Sequence, residues 1–223
     1  MGRVRSAGHP PIIETESDIR AGVRELRRRC QVMRRVHDAA GDPPLRRQPA
    51  GFEGLARVIV AQQLSAASAA AIWARVAAAL APLSAERLLA AREQTLRGAG
   101  LSRPKIRTLR SLAAAVAEHA LDLDRLAEAA EEEVHAALCA LHGIGPWTAD
   151  IYLLFCLGRR DAFATGDLAL QVAAQRAFDR PKRPDAAELL NLAERWRPWR
   201  GVAARLLWAY YPMVRRSALN APV

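Results

Sequence analysis

The chain has 223 residues, enough for one large domain or two smaller ones, and its hydrophobic fraction of 51% excludes a disordered chain. Alanine supplies much of that fraction and aromatic residues only 5%, a balance that favours helix over sheet. The formal net charge of +10 is carried almost wholly by arginine, with only Lys105 and Lys182 as lysines, and it favours a polyanionic partner.

Three widely spaced cysteines, Cys30, Cys139 and Cys156, argue against a zinc site, an iron–sulfur cluster or a disulfide framework and point to a reducing compartment. No run approaches the roughly 18 apolar residues of a membrane span, and no secretory apolar segment opens the chain, so a soluble cytoplasmic protein is expected. "MGRVRS" fits a myristoylation pattern so loose that chance matches are common.

Residues 1–17, with "GHPP", read as a tail or an extended strap. Helix is expected from Asp18, because Ile19, Val23, Leu26, Cys30, Met33 and Val36 recur at helical spacing up to a stop at Gly41-Asp42-Pro43-Pro44. "GFEGLARVIVAQQLSAASAAAIWARVAAALAP" predicts two helices or one bent helix, with Ser65 capping the joint and Pro82 ending it. Its near absence of charge predicts a central position. In "EQTLRGAGLSRPKIRTLRSLAAAVAEH", which follows "SAERLLAA", a helix, a Gly98-Ala99-Gly100 turn and a second helix capped by Ser102 form an outline that returns at residues 141–150.

That later stretch, "LHGIGPWTAD", lies between "DRLAEAAEEEVHAALCAL" and "WTADIYLLFCLG", each of which reads as a helix. Asp167 then precedes "LALQVAAQRAF", Asp185 and Glu188 form a capping box, and "WRGVAARLLWAYYPMVRR" closes the helical pattern. No segment alternates with period two for long enough to be a strand. The expected fold class is all-α.

Two glycines and a proline within four residues need a reason. Gly143 and Gly145 are expected to supply positive φ and to let the start of the next helix come close to whatever lies outside. Pro146 suits the first helical position, and the amides after Gly145 would face outward at the positive end of the helix dipole, a geometry that binds one phosphate without reading a base. An ordinary helix–helix corner accounts for the same residues.

"LHGIGPWTAD" resembles the helix–hairpin–helix of the base-excision DNA glycosylase superfamily. In that superfamily an aspartate follows the hairpin by about twenty residues, and "DAFATGDLALQ" puts Asp167 there. "VIVAQQLS", "AGLSRPKIRTL" and "AERWRPWRGVAARLLW" are similar to the alkylated-base branch typified by 3-methyladenine DNA glycosylase II, and together the matches run from about residue 50 to 212 in the family's order.

The resemblance implies a two-lobed helical fold with the active site in a cleft between lobes. It implies a short form without the N-terminal β domain of the longest relatives. The corresponding division is a tail at 1–17, a helical segment at 18–51 packing with the C-terminal helices, a lobe at 52–165 holding the hairpin at about 131–157, and C-terminal helices at 166–223 completing the second lobe.

By the same resemblance Asp167, which on local grounds is an N-cap, becomes the catalytic carboxylate. Trp147, Trp208, Gln62 and Ile151 fall at the base pocket, with Ile151 where the type member has tyrosine. Gln63 or Leu64 would be the wedge into the duplex, and the backbone of Gly143, Gly145, Trp147 and Thr148 would hold a phosphate.

Bifunctional members carry a Schiff-base lysine where this chain has Trp147, so a monofunctional enzyme that leaves an abasic site is expected. No cofactor is expected for the chemistry. A structural Na⁺ or K⁺ at the hairpin would be held by the carbonyls of Cys139, Leu141 and Ile144. His37, His119, His135 and His142 show no ligand spacing. The expected partner is damaged double-stranded DNA, and the protein is expected to act as a monomer. The alternatives are a non-catalytic DNA-docking hairpin and a glycosylase of the same fold acting on mispaired adenine or oxidised purines.

Overall fold

The computed structural model describes residues 11–219, with side chains as far as Arg215; the readings placed on residues 1–10, including the "MGRVRS" pattern, lie outside the described residues. The described chain is all-helical. In order it forms α1 (Glu16–Arg29), α2 (Gln31–Ala40), α3 (Gly51–Ala61), α4 (Ala66–Ala79), α5 (Ala85–Ala90), α6 (Glu93–Gly98) and α7 (Arg103–Ala117). There follow α8 (Leu123–Glu128), α9 (Glu131–Cys139), α10 (Pro146–Ile151) continued by a π-helical turn (Tyr152–Cys156), α11 (Leu168–Ala177), α12 (Ala186–Ala193), a 3₁₀ turn (Glu194–Trp196) and α13 (Arg200–Leu219).

Two compact units result, one from residues 48–157 and one from residues 11–47 together with 158 onward. In the first, α7 packs against α3 and α5, burying Leu55 and Ile59 with Ile106, Leu109 and Leu112. Each fully buried aliphatic side chain contributes roughly 1.5–3 kcal/mol. In the second, α13 packs against α11, α2 and α1 through Val202, Leu206, Leu170, Met33, Val36 and Ile19. Residues 11–14 form the extended strap rather than a loose tail. Ile13 is fully buried, its N–H donates to the Gly158 carbonyl at 2.7 Å, and Ile12 forms an antiparallel bridge with Arg159.

Several boundaries differ from expectation, each for a local reason. Helix α1 starts two residues before Asp18, because Thr15 is the N-cap and Asp18 the third helical residue of a reciprocal capping box. The apolar periodicity through Val36 is shared by two helices: Cys30 is extended (φ −137°, ψ 109°), ending α1 through its N–H to Leu26 and starting α2 through its carbonyl to Arg34. The helix expected before the hairpin is likewise two, α8 and α9, parted by extended Ala129 and Ala130.

Ser65 caps α4 through Ser68, whereas Ser102 stands at the N-cap of α7 without a side-chain hydrogen bond. Helix α4 is not central. Only Trp73 and Val76 are buried along it, and its alanines face water, which their small apolar surface makes inexpensive. Charge depletion locates the core correctly for α3 and misplaces α4.

Candidate functional site

The hairpin joining α9 to α10 answers for its two glycines differently. Gly143 has φ +78°, and a Cβ built on it would lie 1.9 Å from the Thr108 hydroxyl oxygen, so both conformation and space demand glycine. Gly145 does not supply positive φ. It is the N-cap of α10 with φ −104° and ψ 177°, conformations open to any residue, and an added Cβ would meet nothing within 4 Å. No internal contact requires glycine there, and the bare, exposed backbone is open to close approach from outside.

Pro146 stands at the start of α10, and buried Ile144 anchors the turn. Among the described residues neither the Gly143 nor the Gly145 N–H donates to a protein acceptor. Thr148 drops out of the outward-facing set expected for it. Its N–H donates to the Gly145 carbonyl at 3.0 Å, and its hydroxyl, on a residue 3% exposed, accepts from Gln62 Nε2 at 2.9 Å. Trp147 and Ile151 are half-buried on α10.

The Gln62 side chain is not free. Its carboxamide nitrogen donates both to Thr148 Oγ1 and to the Gly143 carbonyl, at 3.2 Å, so the side chain ties the end of α3 to the hairpin. Beyond it the backbone changes abruptly. Gln63 is exposed with φ +56°, a left-handed conformation uncommon for a non-glycine residue, and Leu64 leaves 38% of its surface to solvent before Ser65 starts α4. Leu64 thus offers an exposed apolar side chain directly after a left-handed residue, and backbone conformations of this kind concentrate at functional positions.

In the second unit Asp167 is half-buried as the N-cap of α11. Its Oδ1 accepts from the Leu170 N–H at 3.0 Å and from the Trp208 indole Nε1–H at 3.0 Å. The cap and the functional reading are compatible, since capping orients the carboxylate. The loop before it is also held, through Asp167 N–H to Ala164 and Gln171 Nε2 to Thr165. Half-buried Trp208 therefore touches Asp167 directly, which residue type alone does not reveal.

Two further groups matter. Lys105 donates to the Val60 carbonyl at 2.6 Å, capping the C-terminal end of α3, and burial pulls its ammonium below the ordinary lysine pKa. Burial, with Asp150 nearby, pushes the Cys139 thiol up, which makes it a poor nucleophile. No grouping of three or more His, Cys, Asp or Glu suited to a metal ion occurs among the described residues. Sequence reasoning missed Thr108, whose signal was a polar residue, 4% exposed, within the apolar face of α7.

Comparison with known proteins places this geometry. The family model of the HhH-GPD superfamily base excision DNA repair proteins matches residues 56–198, from within α3 through the hairpin and Asp167 to beyond α12. The chain belongs to this superfamily. The HhH-GPD protein is 30% identical over 162 residues to DNA-3-methyladenine glycosylase 1 of Schizosaccharomyces pombe, covering 70% of this chain and 71% of that one.

Among solved structures, the S. pombe 3-methyladenine DNA glycosylase in complex with abasic DNA superposes with a TM-score of 0.76 at 26% identity, over 84% of this chain and 95% of that one. A DNA-3-methyladenine glycosidase from Bacillus halodurans gives 0.74 at 30% identity, over 92% and 94%. Other curated relatives are matched locally: the chain spans 32% of a Bacillus subtilis relative and 20% of a Mycobacterium tuberculosis one.

Proposed function

We propose that this HhH-GPD protein is a monofunctional DNA glycosylase that excises alkylated bases of the 3-methyladenine and 7-methylguanine type from duplex DNA, leaving an abasic site. The observation that carries the reading is Asp167, a carboxylate oriented at the start of α11 by two N–H donors. The hairpin amides of Gly143 and Gly145 would hold a backbone phosphate, and Gln63 with Leu64 would fill the gap left by the extruded base. The names of the S. pombe and B. halodurans relatives support the substrate class.

Cleavage passes through a deoxyribose with oxocarbenium character. As the bond from C1′ to the base nitrogen breaks, its electron pair leaves with the base, and the Asp167 carboxylate stabilises the cation from a fixed position. Water then adds to C1′, and the proton it loses passes to the carboxylate or to solvent. An alkylated purine already carries positive charge, so its departure needs little acid assistance, and an electron-rich indole face, such as that of Trp147 or of Trp208, would attract it. Trp147 stands where bifunctional members carry lysine, and Lys105 is engaged at the Val60 carbonyl, which supports hydrolysis without strand cleavage. The main-chain oxygens of Cys139, Leu141 and Ile144 are hard, neutral donors of the kind that suits a monovalent cation, whose role would be to steady the turn.

The test is to incubate the protein with methylated duplex DNA and separate the released bases chromatographically. Free 3-methyladenine or 7-methylguanine with intact strands is the expected result, whereas cut strands or no free base would refute the reading. Trp208→Phe keeps an aromatic face and loses the N–H to Asp167. Base release should fall about 10- to 100-fold, as for a hydrogen bond to a charged group, with duplex affinity unchanged. Wild-type rates in that variant would confine Trp208 to packing.

A further inference from the structure

Three side chains, two from α7 and one from the chain just after α3, converge on the two loops assigned to DNA. Helix α3 ends with carbonyls that no later helical amide can reach, and Lys105 of α7 meets one of them at Val60. The next turn of chain carries Gln62, whose carboxamide bonds the hairpin twice, at Gly143 and at Thr148. Thr108 lies three residues beyond Lys105 on the same helix and occupies the space beneath Gly143 that a Cβ would need, with its hydroxyl donating to the Pro104 carbonyl. Helix α7 thus backs the hairpin and the end of α3, and Gln62 closes the bracket between them. The exposed pair, Gln63 and Leu64, is the next thing along the chain.

We propose that Gln62 is a positioning residue that locks the Gln63–Leu64 tip to the hairpin, so that the hairpin's grip on a strand sets how far the tip enters the duplex. This rests on the glycosylase reading above, and it moves Gln62 out of contact with the extruded base. The physical need is one of register. A phosphate grip and a wedge on independently moving loops would lose alignment, and a displacement of about 1 Å at a reacting site costs on the order of a hundredfold in rate. Lys105 and Thr108 hold the two loops from behind, while Gln62 is the direct link across them.

The test uses Gln62→Leu, which keeps the bulk and removes both hydrogen bonds, and Thr148→Val, which removes one acceptor from the opposite side at nearly constant shape. A duplex containing a tetrahydrofuran abasic analogue beside 2-aminopurine reports tip insertion by fluorescence. Anisotropy reports affinity for undamaged duplex, and single-turnover assays report release of 7-methylguanine.

Both variants should bind undamaged duplex within about twofold of wild type, while insertion and base release fall about tenfold. The double variant should lose little more than Gln62→Leu alone, as expected for partners in one interaction. Release should recover towards wild type when the lesion sits in a bulge, where extrusion costs little. Equal losses on paired and bulged lesions would overturn the proposal and put Gln62 at the base or in the general fold, and unchanged insertion would overturn it outright. If wild type inserts its tip yet frees no alkylated base, the glycosylase reading fails by itself, and the insertion signal still decides the role of Gln62.

Discussion

Asp167→Asn should bind damaged duplex as tightly as the wild type yet release base about a hundredfold more slowly, or worse, because only the charge that meets the developing cation is lost. Asparagine keeps an oxygen that can accept from the Leu170 amide and the Trp208 indole, and it caps helices about as well as aspartate. Thermal unfolding should therefore shift little. Asp167→Ala separates the roles from the other side, since it should lose the same catalysis and also destabilise the fold by about 1 kcal/mol through the missing cap. Single-turnover base release and calorimetry on the two variants decide the matter. Near-normal turnover in Asp167→Asn would return the aspartate to a purely structural role.

The hairpin glycines should part company in the same pair of measurements. Gly143→Ala places a Cβ at positive φ and 1.9 Å from the Thr108 oxygen, so the turn must shift or Thr108 must move. A loss of roughly 2–4 kcal/mol in stability is expected, with DNA affinity falling as a consequence. Gly145→Ala meets no internal atom and an ordinary backbone angle, so its melting temperature should match the wild type. Its methyl group would stand on the face offered to the phosphate, and duplex affinity should fall, most at low salt where backbone contacts dominate. If Gly145→Ala binds normally, the strand does not approach the hairpin at this point.

The contrast between the two glycines shows what one-dimensional reading can reach. The turn at 141–150, its proline and the cap at Asp167 are legible because they depend on residues within four positions of one another. The same logic finds the Asp185–Glu188 box and the Ser65 cap. It overlooks the break at Cys30, since neither proline nor glycine marks it and the apolar spacing runs on undisturbed across it. It assigns positive φ to Gly145, because a bare glycine offers no sign of which of its freedoms the fold uses.

What the sequence by itself determined is the helical class, the hairpin turn and the cap at Asp167, which are properties of short segments set by capping, periodicity and backbone sterics; the superfamily and the catalytic reading of Asp167 came from the resemblance of five stretches in order. Only the tertiary structure decided which side chains meet. Trp208 reaches Asp167 across 41 residues, and Gln62 reaches Thr148 across 86. Such pairs follow from how α11 packs on α13 and how α3, α7 and α10 gather around one core, and that packing is settled by the fit of many buried side chains at once rather than by any local signal.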